Sequence, residues 1–381
     1  MKFRLTATAL VILGVTGVVN NSSAASANGT VGSAIAHQVS IPKLQKTIDL
    51  RGLGSALSTI KKMTFSPDSR YLAMVESPAW LTTDIVVWDL QLGKVQSHIH
   101  CSYNYADMPD HDLLWSADGK VISFGAKRQW DPMSGEALPD NPAIGRGARL
   151  NKDGSKLLTI VGVIGAPSYI YVYDTKTWDL HKIYVDGLAV QAAAWTTDDR
   201  VLVSAGVTKE TFGKTLDGRV ITQWQDSALR LLDPMGQKPT KALWFPAKPT
   251  DDPKFPFITA FPIGAQGKTN FVTNQVFLNS GQIIDSATLD IRHYHSFSAG
   301  DIAPGGFGMG FSPDGRLLYL KGASFPYGGY EPTKNSIVDV ASGKPLLQFG
   351  GALDHAGELA VSPDGKHLAL GDAYSILIFS L

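Results

Sequence analysis

Residues 311–320 read FSPDGRLLYL, and residues 361–370 nearly repeat them as VSPDGKHLAL. In both, an apolar residue leads into Ser-Pro-Asp-Gly, a basic residue follows, and an apolar run completes the unit. Pro sets φ for the first central position of a turn, and Asp bonds back to nearby amides. Gly accepts the left-handed conformation that lets the chain reverse. Apolar residues on both sides of such a turn read as two antiparallel strands. Working outward, the same turn recurs at Ser66-Pro67-Asp68-Ser69, Ser116-Ala117-Asp118-Gly119 and Asn151-Lys152-Asp153-Gly154. A weaker copy is Thr196-Thr197-Asp198-Asp199.

A third strand follows each pair, often ending in an aromatic residue and Asp: IVVWDL (85–90), KRQWDP (127–132), IYVYDT (170–175), LRLLDP (229–234), QVFLNS (275–280), SIVDVA (336–341) and SILIFSL (375–381). Tight turns such as Leu92-Gly93-Lys94, Ser134-Gly135-Glu136 and Ser342-Gly343-Lys344 then lead to a fourth strand, for example PLLQF at 345–349. Four antiparallel strands repeated seven times predict an all-β, seven-bladed propeller over residues 43–381. Subtracting a 27-residue leader from 381 residues leaves about 51 per blade, against the usual ~40 to 45 plus loop insertions. The last repeat reaches Leu381 after three strands, while KLQKTIDL at 43–50 precedes the first repeat as a lone strand. Pairing the two would close the ring and protect both open edges. The fifth repeat matches poorly: its first turn would fall in Gly264-Ala265-Gln266-Gly267, so a six-bladed ring with an insertion is the alternative.

With its repeats aligned, the chain resembles the WD40-like propellers, including the related repeats of the TolB family, over nearly all of 43–381. The matching motifs are the Asp-Gly turns and the pairs Trp88-Asp89 and Trp130-Asp131. The Gly-His pair that precedes many WD40 blades is absent, with only Asp110-His111 and Asp354-His355 in loosely similar places.

Composition narrows the function classes. With 34 Lys+Arg against 34 Asp+Glu, 18% charged and 44% hydrophobic residues, the chain reads neither as disordered nor as a nucleic-acid binder. Lys2 and Arg4, the apolar run Leu5 to Val19 and Ala25-Ser26-Ala27 read as a signal peptide over 1–27. Cleavage is placed after Ala27, with Ala24 and Ala25 as alternatives, and 28–42 reads as a flexible segment. The run is shorter than the roughly 20 residues that span a bilayer. A periplasmic or secreted, monomeric protein is therefore expected, stabilised by packing because Cys101 is its one cysteine.

Alternating strand direction puts first-to-second and third-to-fourth turns at one end of the blades and all longer connections at the other. The long connections span 77–84, 99–112, 162–169, 206–226, 292–306 and 323–334. Long loops on a rigid scaffold concentrate binding residues. The aromatic residues Trp80, Tyr103, Tyr105, Tyr294, Phe325, Tyr327 and Tyr330, with His111, are the candidate contacts for a protein or envelope component. His98-Ile99-His100 with Cys101, and His293-Tyr294-His295, each place two imidazoles on one side of an extended segment. Each pair lacks the further ligands of a closed site, so surface or packing roles are the better reading, and no metal or cofactor is expected. No Gly-x-Ser-x-Gly, His-Glu-x-x-His or phosphate-binding loop is present. The alternative to a binding scaffold is a lactonase-like propeller hydrolase that gathers groups such as Asp107, Asp110, His111, Asp301 and Glu331 at the pore mouth.

Overall fold

The Ser-x-Asp-Gly turns form as their chemistry requires. In a computed structural model, the Ser66 hydroxyl donates to Asp68 Oδ1 (2.5 Å) and accepts from the Tyr71 amide (2.9 Å). Ser312 and Ser362 repeat both bonds with Asp314 and Leu317, and with Asp364 and His367. The fourth turn position is left-handed at Gly119, Gly154, Gly315 and Gly365, with φ of +70° to +73°, and also at Ser69 and Asp199. A second recurrent turn follows the third strands. There the carboxylate at the strand end accepts amides two and three residues on, as Asp131 does from Met133 and Ser134 and Asp174 does from Lys176 and Thr177.

These turns organise the described residues, which are 43–50, 59–79, 82–101, 113–124, 127–162, 167–185, 188–214, 220–235, 239–245, 248–249, 257–258, 275–277, 282–294, 308–312, 314–320, 335–349, 359–371 and 375–381. After β1 (Lys43–Asp49), the first blade is β2 (Thr59–Phe65), β3 (Tyr71–Ala79), β4 (Thr82–Asp89) and β5 (Lys94–Cys101). The second is β6 (Leu113–Trp115), β7 (Ile122–Phe124), β8 (Arg128–Trp130) and β9 (Ala137–Leu138). The third is β10 (Arg146–Leu150), β11 (Lys156–Val161), β12 (Tyr169–Asp174) and β13 (Leu180–Tyr184). The fourth is β14 (Ala189–Trp195), β15 (Val201–Lys214), β16 (Val220–Leu232) and β17 (Pro239–Phe245).

A two-stranded ladder of β18 (Lys248–Pro249) and β19 (Phe257–Ile258) follows, then a three-stranded sheet of β20 (Gln275–Phe277), β21 (Gln282–Asp285) and β22 (Ile291–Tyr294). The next blade is β23 (Gly308–Phe311), β24 (Leu317–Leu320), β25 (Asn335–Asp339) and β26 (Pro345–Phe349). The last comprises β27 (Leu359–Val361), β28 (His367–Gly371), β29 (Ser375–Ser380) and, as its fourth strand, β1. β1 and β29 run antiparallel from Lys43↔Ser380 to Asp49↔Ser375.

The blade number differs from the expected seven. The structure has six four-stranded antiparallel blades, and the fifth repeat contributes a sheet that is three-stranded among the described residues. The reason lies in its turns. The sequence pattern expects a third strand over 275–280, but among the described residues β20 pairs only with β21, and the turn-forming carboxylate is Asp285, which accepts from Ala287 and Thr288. The stretch where a first turn was sought, 264–267, carries no Ser-x-Asp-Gly and lies outside the described residues.

The core sits between adjacent sheets, as repeat architectures require. Ile48, Leu50, Phe65, Leu72 and Met74 pack with Ala360, Ala369, Ile376 and Ile378, joining the first blade to the last. Ile85, Val87, Ile99 and Cys101 pack with Leu113, Trp115, Phe124 and Trp130 of the second blade. The three-stranded sheet is held from two sides: Ile284 and Leu289 cluster with Leu202, Leu229 and Leu231, and Ile283 clusters with Phe311, Leu318 and Val338. No helix among the described residues is long and apolar enough to cross a membrane.

Candidate functional site

Strand direction divides each blade into two unlike ends. At one end the two turns of a blade are tied together through the backbone: the Leu90 amide donates to Arg70 O, Thr175 to Ser155 O, Val340 to Arg316 O and Leu381 to Lys366 O. Burial pushes the Asp89 carboxyl up, but the Leu92 amide and the Arg70 guanidinium more than offset this and hold it below the ordinary carboxylate range. A groove of about 560 Å³ at this end is lined by Lys46, Ser69, Arg70, Asp364, Lys366 and His367. Its charges are engaged in the turns: Arg70 binds Asp89, and the Asp364 amide donates across the blade boundary to Ser69 Oγ. That groove is a structural seam between the first and last blades.

The second-to-third connections of the described strands leave from the opposite end. One of these continues as structure, because β15 and β16 outrun their neighbours. β14 reaches only Gly206 and β17 only Ser227, whereas β15 and β16 go on pairing through Val207↔Gln225, Thr208↔Trp224 and Gly213↔Ile221 to Lys214↔Val220. Much of the expected 206–226 loop is thus a two-stranded arm standing beyond its blade. Likewise Ala79↔Thr82 makes 77–84 mostly strand, and Ile99 to Cys101 belong to β5.

Trp80, Tyr103, Tyr105, His111, Phe325, Tyr327 and Tyr330 lie outside the described residues, as do Asp107, Asp110, Asp301 and Glu331. Tyr294 ends β22 as the register partner of Gln282, and its side chain lies outside the described set.

Within the described residues, one cluster combines three potential metal donors: Asp84, His98 and His100. His98 and His100 alternate along β5, the outer strand of the first blade, so their side chains share one face, while Ile99 and Cys101 are buried on the other. Asp84 stands on the neighbouring β4 as the register partner of His100. Its Oδ2 lies 3.2 Å from His98 Nε2 and its Oδ1 lies 3.2 Å from His100 Nδ1. The two imidazole rings are 4.5 Å apart and tilted by 37°. The carboxylate is 14% exposed, His98 33% and His100 78%, so the cluster has a sheltered acid and an open imidazole side.

Asp84 is the member that sequence spacing does not reveal. Counted straight back from Asp89↔Lys94, Asp84 would face Ile99 on the buried side. Val87 pairs with Ser97 and Trp88 with Val95, so Gln96 is an extra residue in β5, and the strand beyond it slips by one to bring His100 opposite Asp84. A one-residue slip changes the face of every later side chain, so this irregularity creates the cluster. The signal in the sequence is weak: Asp84, Val86 and Trp88 alternate along TTDIVVWD, with a carboxylate where an apolar residue is usual. Cys101 does not join the cluster, because it lies on the opposite, buried face of β5, where burial, with a lesser contribution from the Asp84 charge, also pushes its thiol up to about 12.

Compared with known proteins, the chain matches no protein-family model. No curated protein matches it in sequence. In three dimensions it is similar to the crystal structure of the Myceliophteria thermophila Cps50 (Swd1) β-propeller domain, with a TM-score of 0.55 and 15% identity, covering 90% of this chain and all of that one. The likeness shows a β-propeller fold.

Proposed function

We propose that this chain is an exported, non-catalytic, monomeric β-propeller that binds a protein or envelope component through the long-connection end of its blades. The observation that carries the reading is the difference between the two ends. One is closed by repeated hydrogen-bonded turns, and the other carries the β15–β16 pairing that continues past its neighbours. Variable loops on an invariant frame are the usual arrangement of a recognition surface. The likeness to a WD40-like propeller supports the frame on which such a surface is built, and the apolar run of residues 5–19 supports export. The binding residues are Trp80, Tyr103, Tyr105, His111, Tyr294, Phe325, Tyr327 and Tyr330, whose aromatic members offer large rigid area with few rotatable bonds.

The test compares wild-type chain with Tyr103→Asp, Tyr327→Asp and Tyr330→Asp chains as baits in the host's own envelope fraction, alongside thermal unfolding of each. The expected result is a stoichiometric partner on wild type, lost from the variants, with unfolding temperatures unchanged. Variants that unfold markedly earlier would show that these tyrosines pack the loops, and variants that retain the partner would place recognition elsewhere. Either result ends the reading.

A further inference from the structure

We propose that Asp84, His98 and His100 form a site for one divalent transition-metal ion of the zinc type, on the outer edge of the first blade. Two imidazole nitrogens and one carboxylate oxygen suit zinc, copper or nickel, and are a poor match for magnesium or calcium, which favour all-oxygen sets. The spacing fits as well. Zinc bonds of about 2.0 to 2.1 Å at tetrahedral angles separate neighbouring donor atoms by roughly 3.3 to 3.4 Å. Each Asp84 oxygen lies 3.2 Å from one imidazole nitrogen, Oδ2 from His98 Nε2 and Oδ1 from His100 Nδ1, and one donor atom from each of the three residues lies within 4.8 Å of the others. Small rotations of the exposed His100 ring bring the set onto one ion without moving the backbone.

The scaffold beneath the site is rigid. Its donors come from paired positions of β4 and β5, with Ile85 and Ile99 fully packed behind them against the second blade. That packing fixes the backbone positions from which the three donor side chains project. Three protein donors with an exposed side leave a coordination position open. In zinc proteins that pattern belongs to sites that take water or an external donor, not to closed structural sites. The ion would therefore be reachable from solution, near the end of the blade where β5 leads into the long connection 102–112.

The experiment uses the full chain, treated with chelator, exchanged into chelator-free buffer and titrated calorimetrically with Zn²⁺ alone. One saturable site per chain is expected. Its affinity should fall by about 10- to 100-fold or more in His98→Gln, His100→Gln and Asp84→Asn, since even outer-shell partners of metal ligands have effects of that order. Zn²⁺ should raise the unfolding temperature of wild type and leave the variants unmoved, while all four chains unfold alike in chelator. Cu²⁺ bound to wild type supplies a readout independent of any variant: its electron paramagnetic resonance spectrum should show coupling to two imidazole nitrogens. The proposal is overturned by absent Zn²⁺ uptake, by uptake that survives in His98→Gln and His100→Gln, or by uptake that vanishes instead in a His293→Gln/His295→Gln chain.

Discussion

The two ends of the blades differ in what their residues are engaged in. At the tight-turn end, side chains such as Ser66, Asp68, Ser362 and Asp364 bond to backbone within a few residues, and the same geometry recurs around the ring. At the long-connection end the strands differ from blade to blade: β15 and β16 run on alone, and Asp84, early in β4, meets two histidines late in β5. Repetition at one end holds the sheets in place, and that frees the other end from any stabilising duty. Stability and recognition are therefore expected to separate along the strand axis.

The largest effect should come from the element that makes both ends possible. Removing residues 43–50 takes away a strand paired from Lys43 to Asp49, along with the buried Ile48 and Leu50, and exposes β29 as an unprotected edge. Loss of a cooperative unfolding transition, and aggregation on light scattering, are expected. A truncated chain that melts like wild type would mean that closure is dispensable.

Next come single changes at the tight-turn end. Gly154 has φ +73°, and a Cβ there would lie 2.6 Å from Ala117 Cβ, so Gly154→Ala adds a clash to left-handed strain. Together these should cost about 1 to 3 kcal/mol in denaturant unfolding. Ser362→Ala strips Asp364 and the His367 amide of a buried partner, and should cost about 1 to 3 kcal/mol. If both changes prove neutral, the turns do not carry the stability assigned to them.

The same end should govern acid stability. The Ser116 hydroxyl holds the Asp118 carboxyl below its ordinary range, and the Ser134 and Thr177 amides do the same for Asp131 and Asp174. With folded values depressed below the unfolded value of about 3.9, their contribution is complete above that pH and is lost as pH falls through the folded values. Urea midpoints should therefore drop below about pH 4, and less steeply in Asp118→Asn and Asp131→Asn chains. The smallest effect belongs to the opposite end. Asp substitutions at Tyr103 or Tyr327 should stay within about 0.5 kcal/mol of wild type in denaturant unfolding, as surface changes usually do.

Much of the frame is legible in sequence because it is local. Ser362-Pro363-Asp364-Gly365 specifies its turn through bonds spanning five residues or fewer, and alternating apolar residues on either side specify the strands. The fifth repeat shows the limit of that legibility. Gln275 to Ser280 has a third strand's apolar character, yet the carboxylate that closes the following turn is Asp285, and only strand pairing reveals which copy is used. The candidate metal site is less legible still, since 14 residues separate Asp84 from His98.

Sequence alone determined that this is an all-β chain of repeated blades, because turn chemistry and period-two alternation are properties of neighbouring residues. The sequence also implied that the strand at 43–50 closes the last blade, as β1 does against β29, while tertiary structure decided its register, the number of four-stranded blades, and the meeting of Asp84 with His98 and His100. Each of these depends on register between strands, and register is set by packing against adjacent sheets, where a shift of one residue exchanges buried and open faces.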